Sequence, residues 1–319
     1  MKVYFNHNFW SKQGTGIPGI PKPAGWKFTY DDAEYFIPKI YQFPEGVTID
    51  IINIFNDEKF KIFYDKYAPI EYEMNEEEIL IAEQERPIPE LPLHNIYINN
   101  QPTEINTSSL SYISFLNYRQ DKNVLTEIRK EYGLSDEQSF QCIRVHAKYL
   151  DESQKEIRQM KFLTLKTEEL MPVKKRFKVE NKASGYQYDI VFQHPMTGEE
   201  HKLYIEEVEF RDNRLVFPNY DQNVPYKNVM LKYELVPSLP KDERIIIHEI
   251  KQADIKDRID AGTVGYIGYN NEKGRNGYPI EYAFSDVYWK TLDFAEFSIV
   301  GIYKIKCQEK EIDVFNKEP

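Results

Sequence analysis

Cysteine, glycine, basic charge and long apolar runs are all scarce in this chain, and each scarcity removes a class of protein. Two cysteines, Cys142 and Cys307, stand in 319 residues, far apart and without metal-ligand spacing. Free thiols in a reducing compartment are the simplest account, with one long-range disulfide as the alternative. No apolar stretch approaches the roughly 18 residues of a membrane-spanning helix; the run Ser298–Tyr303 meets Lys304 at once. A membrane partner is not expected. Lys and Arg total 41 against 52 Asp and Glu, a net charge of -11 that repels a phosphate backbone unless a basic stripe overrides it. The densest basic cluster, Lys174, Lys175, Arg176 and Lys178, alternates with Val173, Phe177 and Val179, which describes the wet face of a strand. Nucleic acid is therefore not an expected partner. The N-terminal run Met1–His7 has neither the apolar core nor the small-residue site of a secretory leader, so a cytoplasmic location is the default.

Catalytic templates are missing as well. No Gly-x-Ser-x-Gly elbow occurs, and neither cysteine sits in a context that identifies a base. His248-Glu249 opens like a zinc-protease motif, but position 252 is Gln252, and Ile245–Ile247 before it predict a strand rather than the helix the motif needs. Gly262, Gly265 and Gly268 are spaced by three, which is the wrong interval for a dinucleotide fingerprint. With 52 Asp and Glu present, pairs of carboxylates carry almost no information.

What the chain does have is aromatic and β-branched content. Hydrophobic residues make up 41% and aromatics 14%, with 24 Tyr and 19 Phe, a mixture that favours strands. Gly14–Gly25, with Pro18, Pro21 and Pro23, predicts a long loop; Trp26–Tyr30 and Val47–Phe55 after it predict strands that pair directly or through a neighbour. Residues 71–90 are Glu-rich and lead into Pro87, Pro89 and Pro92, which predicts a solvated segment and an extended connector. Asn99-Asn100 between Asn95–Ile98 and Thr103–Ile105 predicts a hairpin. Asp121–Tyr132, with Val124, Leu125 and Ile128 on one face and Gly133 as its stop, is the clearest helix. Residues 142–165 predict a hairpin around Asp151–Gln154, although Phe140, Ile143, Ala147 and Leu150 also fit a helical stripe.

Further strands are predicted at Val173–Val179, Tyr186–Gln193, Leu203–Phe210, Val229–Val236 and Arg244–Ile250, with four more candidate stretches from Thr263 onward. The expected fold is thus mainly β, sandwich-like with a few helices: an N-terminal β-rich domain (1–118), a helical connector (119–139) and a C-terminal β-sandwich (140–319). One continuous β body is the alternative.

Two candidate sites emerge. His194 and His201 flank a turn at Gly198, and a hairpin there brings the imidazoles together; with Glu206 or Glu199 they could hold zinc or iron. Aromatics crowd into residues 4–43, where Trp10 and Trp26 flank the Gly- and Pro-rich loop and Tyr30 follows. Rings at a loop mouth can stack on a sugar or anchor a protein, although rings alternating along strands also fill cores. The leading expectation is a non-enzymatic binding or assembly protein that takes a protein or carbohydrate ligand on this aromatic region. The competing one is a metal-assisted hydrolase built on the histidine pair. No cofactor is indicated.

Overall fold

A computed structural model describes residues 1–9, 16–116, 122–181, 188–213, 225–250 and 272–316. Among these, sixteen strands, numbered along the chain, form four antiparallel sheets accompanied by three α-helices. The chain divides into two units: Met1–Pro69, Arg86–Thr167 and Lys306–Pro319 form the first, and Ile70–Glu85 and Glu168–Ile305 the second. The expected division at 118 and 139 does not coincide with this one. Residues 140–164 pair back onto earlier strands, so they belong to the first unit.

In the first unit a five-stranded sheet runs in the order β1 (Ile20–Tyr30), β2 (Ala33–Gln42), β3 (Gly46–Ile54), β7 (Phe140–Lys148), β6 (Glu104–Tyr112). A four-stranded sheet runs in the order β16 (Lys310–Asn316), β8 (Gln159–Thr164), β4 (Leu93–Ile98), β5 (Gln101–Pro102). Their facing side chains form one core: Val47, Ile49 and Ile51 from β3 and Val145 from β7 meet Ile96, Ile98, Met160 and Phe162. The Asn99-Asn100 turn forms as expected, with φ of 53° and 63° that suit the tight turn closing β4 onto β5. The hairpin expected over 142–165 does not. β7 and β8 are both strands, but they lie in different sheets, joined across a short 3₁₀ turn at Glu152–Lys155. The expected loop also ends early. β1 begins at Ile20 and carries Pro21 and Pro23, tolerated because it is an edge strand with an irregularity between Pro23 and Trp26.

Outside the five-stranded sheet lies α3 (Lys122–Tyr132), the expected helix, closed by Gly133 at φ 68°. Its Ile128 packs on Ile52, Cys142 and Phe140. The remaining helix of this unit, α1 (Asp57–Tyr67), is capped by Asn56, whose side chain accepts from the amides of Glu58 and Lys59.

The second unit repeats the sandwich principle. One sheet has the order β10 (Tyr188–Gln193), β11 (Glu200–Asp212), β12 (Lys227–Val236), β14 (Ile280–Phe284), and the other β13 (Glu243–Glu249), β15 (Phe294–Cys307), β9 (Thr167–Glu180). Leu203, Ile205, Leu231 and Tyr233 pack against Ile245, Ile247, Phe297 and Ile299 between them. The outer face of the three-stranded sheet is covered by α2 (Glu76–Glu85), whose Ile81 meets Leu170, Ile246 and Val300. Residues 71–90 are thus not merely a solvated segment. Asn75 and Glu78 form a reciprocal cap, each side chain bonding the other's backbone amide at 3.0 and 2.9 Å.

A buried carboxylate fixes the loop that leads into β14. Glu234 on β12 is fully buried and accepts from the amides of Asn276 at 3.0 Å and Tyr278 at 2.7 Å, and from the Asn276 side chain at 2.8 Å. Gly274 permits this approach, since a Cβ there would lie 2.6 Å from the carboxyl carbon. Burial pushes the Glu234 carboxyl up, but the converging donors outweigh it and hold it below the usual carboxylate range. Its stabilisation is complete above the unfolded-state value and is lost as the pH falls through the lower folded value. Glu234→Ala should lower the unfolding free energy by about 2 to 3 kcal/mol in urea titrations at neutral pH. A loss below ~0.5 kcal/mol would mean the loop holds itself.

Candidate functional site

A concavity of the second unit lies where its two sheets present edge strands to each other. β13 is the outermost strand of one sheet and β14 of the other, and α2 borders the opening. Alternation along β13 decides what each residue faces: Ile245 and Ile247 enter the sandwich core, whereas Ile246 packs under α2. His248 stands opposite Ser298 in the ladder, and the Ser298 hydroxyl donates to Glu77 of α2 at 2.9 Å. Glu249 is buried and accepts from the Asp286 amide at 2.9 Å and the Tyr288 hydroxyl at 2.6 Å. Buried Tyr233 donates to Glu281 at 3.0 Å; burial and that carboxylate raise its phenol well above the ordinary tyrosine range.

The resulting cleft encloses about 540 Å³, within the usual range for a small-ligand site. Tyr233 lines the cleft from the core face; Tyr282 and Phe284 border it along the β14 edge, but the register sets them opposite Lys232 and Met230, on the other face of the sheet, and the Ser285 hydroxyl is engaged by the Val229 amide and the Asp286 carbonyl. Among the described lining residues the charged side chains are the carboxylates of Glu83, Glu249 and Asp286, with His248 beside them. The cleft is therefore acceptor-rich, a property suited to ligands bearing ammonium or guanidinium groups. Sequence reasoning reaches His248-Glu249 only as a failed protease motif. The overlooked signal is the Asn75–Glu78 capping box, which announces α2 and hence one wall.

The predicted histidine pair is brought together. β10 and β11 form the expected hairpin with Phe192 opposite His201, Gly198 adopts φ 72°, and the two imidazoles lie 5.9 Å apart. Both are almost fully buried. His194 Nδ1 accepts from the amides of Met196 and Thr197, each at 3.2 Å, which leaves the proton on Nε2 to donate to Glu243 at 2.9 Å. His201 donates from Nδ1 to the Pro237 carbonyl at 2.9 Å, and its Nε2, 4.0 Å from Glu199, has no hydrogen-bond partner among the described residues. Glu206 lies beside Arg275, 3.5 Å from its Nε. Among the described residues no group of three or more His, Cys, Asp or Glu is arranged to hold a metal ion.

Of the predicted aromatic residues, Trp10 lies outside the described residues, as do Gly262, Gly265 and Gly268. Trp26 is half-buried and stacks on Phe315 at 4.6 Å, and Tyr30 is 2% exposed within the first sandwich core. On β1 and β2 a hollow of about 510 Å³ is lined by Lys27, Thr29, Glu34 and Phe36, among others, with Ile54 of β3.

A further cluster went unread in the sequence. On the face of β3 and β7 turned toward α3, Thr48 stands opposite His146 and Asp50 opposite Arg144. Arg144 donates to Asp50 twice, each time at 2.7 Å; Tyr132 donates to the same carboxylate, and Phe9 lies over the guanidinium. His146 accepts at Nδ1 from the Asn6 amide at 3.3 Å, with the Thr48 hydroxyl 2.8 Å away, and donates from Nε2 to the His7 carbonyl at 3.1 Å. Burial, then the positive charge of Arg144, depresses this imidazole to about 4. Only the alternation on β3, with polar Thr48 and Asp50 between isoleucines, hints at the cluster.

No family model matches the chain, and no curated protein or solved structure is significantly similar to it.

Because His146 is neutral when folded, the unfolded chain takes up its proton first on acidification. Its contribution is complete above about pH 6.5, the unfolded value, and is lost as the pH falls toward 4. Denaturation measured across that interval should show a loss of up to about 3 kcal/mol that His146→Gln abolishes. An identical pH slope in wild type and variant would remove His146 as its source.

Proposed function

We propose that the chain is a non-enzymatic binding protein whose principal ligand site is the cleft between β13 and β14. The single observation that carries this reading is the lining itself: the carboxylates of Glu83, Glu249 and Asp286, with His248, around one hollow of ligand size. The ligand class that fits is a small molecule or peptide side chain bearing an organic cation, which the carboxylates attract.

A second surface is favoured by the hollow on β1 and β2. It lies in the aromatic-rich N-terminal region, where a protein or carbohydrate ligand could lie against Phe36 and exposed Ile54. The metal-assisted hydrolase draws less support. His194 is engaged at both ring nitrogens, by hairpin amides at Nδ1 and by Glu243 of β13 at Nε2, and His201 Nδ1 is held by Pro237, which leaves one imidazole nitrogen of the pair to offer a metal.

Thermal unfolding in the presence of a panel of polyamines, arginine-rich peptides, dicarboxylates, neutral sugars and zinc tests these readings together. The cationic members should raise the melting temperature, with an effect that weakens at high salt. Glu83→Gln should reduce their affinity about tenfold without changing the ligand-free melting temperature by more than ~2 °C. Stabilisation by dicarboxylates but not by amines would overturn the cleft assignment, and zinc stabilisation lost in His201→Ala would shift the reading to the hydrolase.

A further inference from the structure

An asparagine followed by glycine is chemically labile, because no side chain on the second residue hinders attack by its backbone nitrogen on the asparagine carboxamide. The chain contains one such pair, Asn276-Gly277, in the loop that leads into β14, and both residues are exposed. Burial therefore does not protect it. Hydrogen bonds do. Asn276 Nδ2 donates to Glu234 Oε2 at 2.8 Å, the Asn276 amide donates to the same oxygen at 3.0 Å, and the Gly277 amide donates to the Gly274 carbonyl at 3.0 Å. The carboxamide and the nitrogen that must attack it are thus each held by a different partner.

We propose that Asn276-Gly277 is a conditional deamidation site, shielded while Glu234 holds the loop and open to irreversible conversion when that hold is released. In the reaction the Gly277 nitrogen gives its proton to hydroxide and bonds to Asn276 Cγ. The Cγ–Nδ2 bond breaks, and the nitrogen leaves as ammonia after taking a proton from water. Water then opens the resulting succinimide at either carbonyl, which leaves aspartate or isoaspartate at position 276. Nothing is oxidised or reduced.

Both products work against the loop. Aspartate sets a second carboxylate where a donor met Glu234, and isoaspartate adds a backbone carbon that displaces the Tyr278 amide from Glu234 Oε1. Ile280, the first residue of β14, pairs with Glu234 and donates its amide to the Glu272 carbonyl, so release of the loop also loosens the start of that strand.

The test is peptide mapping by mass spectrometry on the full chain incubated in mildly alkaline buffer. The native wild type should convert at Asn276 at least about tenfold more slowly than the chain unfolded in urea. Arg275 keeps a second anchor on Asp189 at 3.1 Å, so Glu234→Gln loosens the loop without freeing it. Its native rate should rise at least about threefold while circular dichroism stays unchanged. Asn276→Asp copies one product and should unfold at a lower urea concentration than Asn276→Ser, which removes the donor without adding a charge. A native rate equal to the rate in urea overturns the proposal, as does a folded Glu234→Gln chain that converts no faster than wild type. Equal urea midpoints for Asn276→Asp and Asn276→Ser overturn it too, because the new carboxylate would then not meet Glu234.

Discussion

The buried pair of Asp50 and Arg144 constrains the first unit more than any other interaction. Two charges on adjacent central strands cannot face solvent and core at once, and an ion pair away from water is tolerated only when its remaining hydrogen-bonding capacity is filled. The fork of Arg144 engages both Asp50 oxygens, the Tyr132 hydroxyl reaches the carboxylate from α3, and Phe9 covers the guanidinium. The ladder therefore commits the outer face of β3 and β7 to being covered. The helix and the first nine residues supply the cover, and the neutral His146, sealed by Asn6 and His7, extends it.

That commitment bears on function. Aromatic residues near the N-terminus have structural uses: Phe9 covers Arg144, Phe5 packs edge-on against His146, and Phe28, Tyr30 and Tyr35 fill the sandwich core. The second unit has a different economy of polar groups. Its Glu234 organises a loop, while Glu249 and its neighbours border a hollow that the fold leaves open between two edge strands. The proposed binding role draws on that cleft, whose lining carboxylates stand in contrast to the charges closed over on the first unit's sheet face.

Much of the architecture is legible where local chemistry decides the outcome. Gly198 and Asn99-Asn100 mark turns because positive φ is costly elsewhere, and Gly133 stops α3 for the same reason. The proximity of His194 and His201 follows from hairpin register alone. What is not legible depends on long-range pairing. Nothing near Ile143 or Met160 says that their strands enter different sheets, because the partners, β3 and β4, lie far away in sequence. The unit boundary is obscured for the same reason: α2 is an early segment packed into the later sandwich. The cleft is assembled from four such separate pieces, so only His248-Glu249 is visible as a pair, and its meaning changes once β13 is seen as an edge.

The most direct test of the constraint on which the first unit depends is a double-mutant cycle in urea on Asp50→Leu and Arg144→Met. Each single change leaves a buried charge without its partner and should cost about 3 to 5 kcal/mol, whereas the double variant, now apolar on both strands, should lose far less than the two combined. Single losses that simply add would contradict the account, since they would show that neither charge depends on the other for its place in the fold.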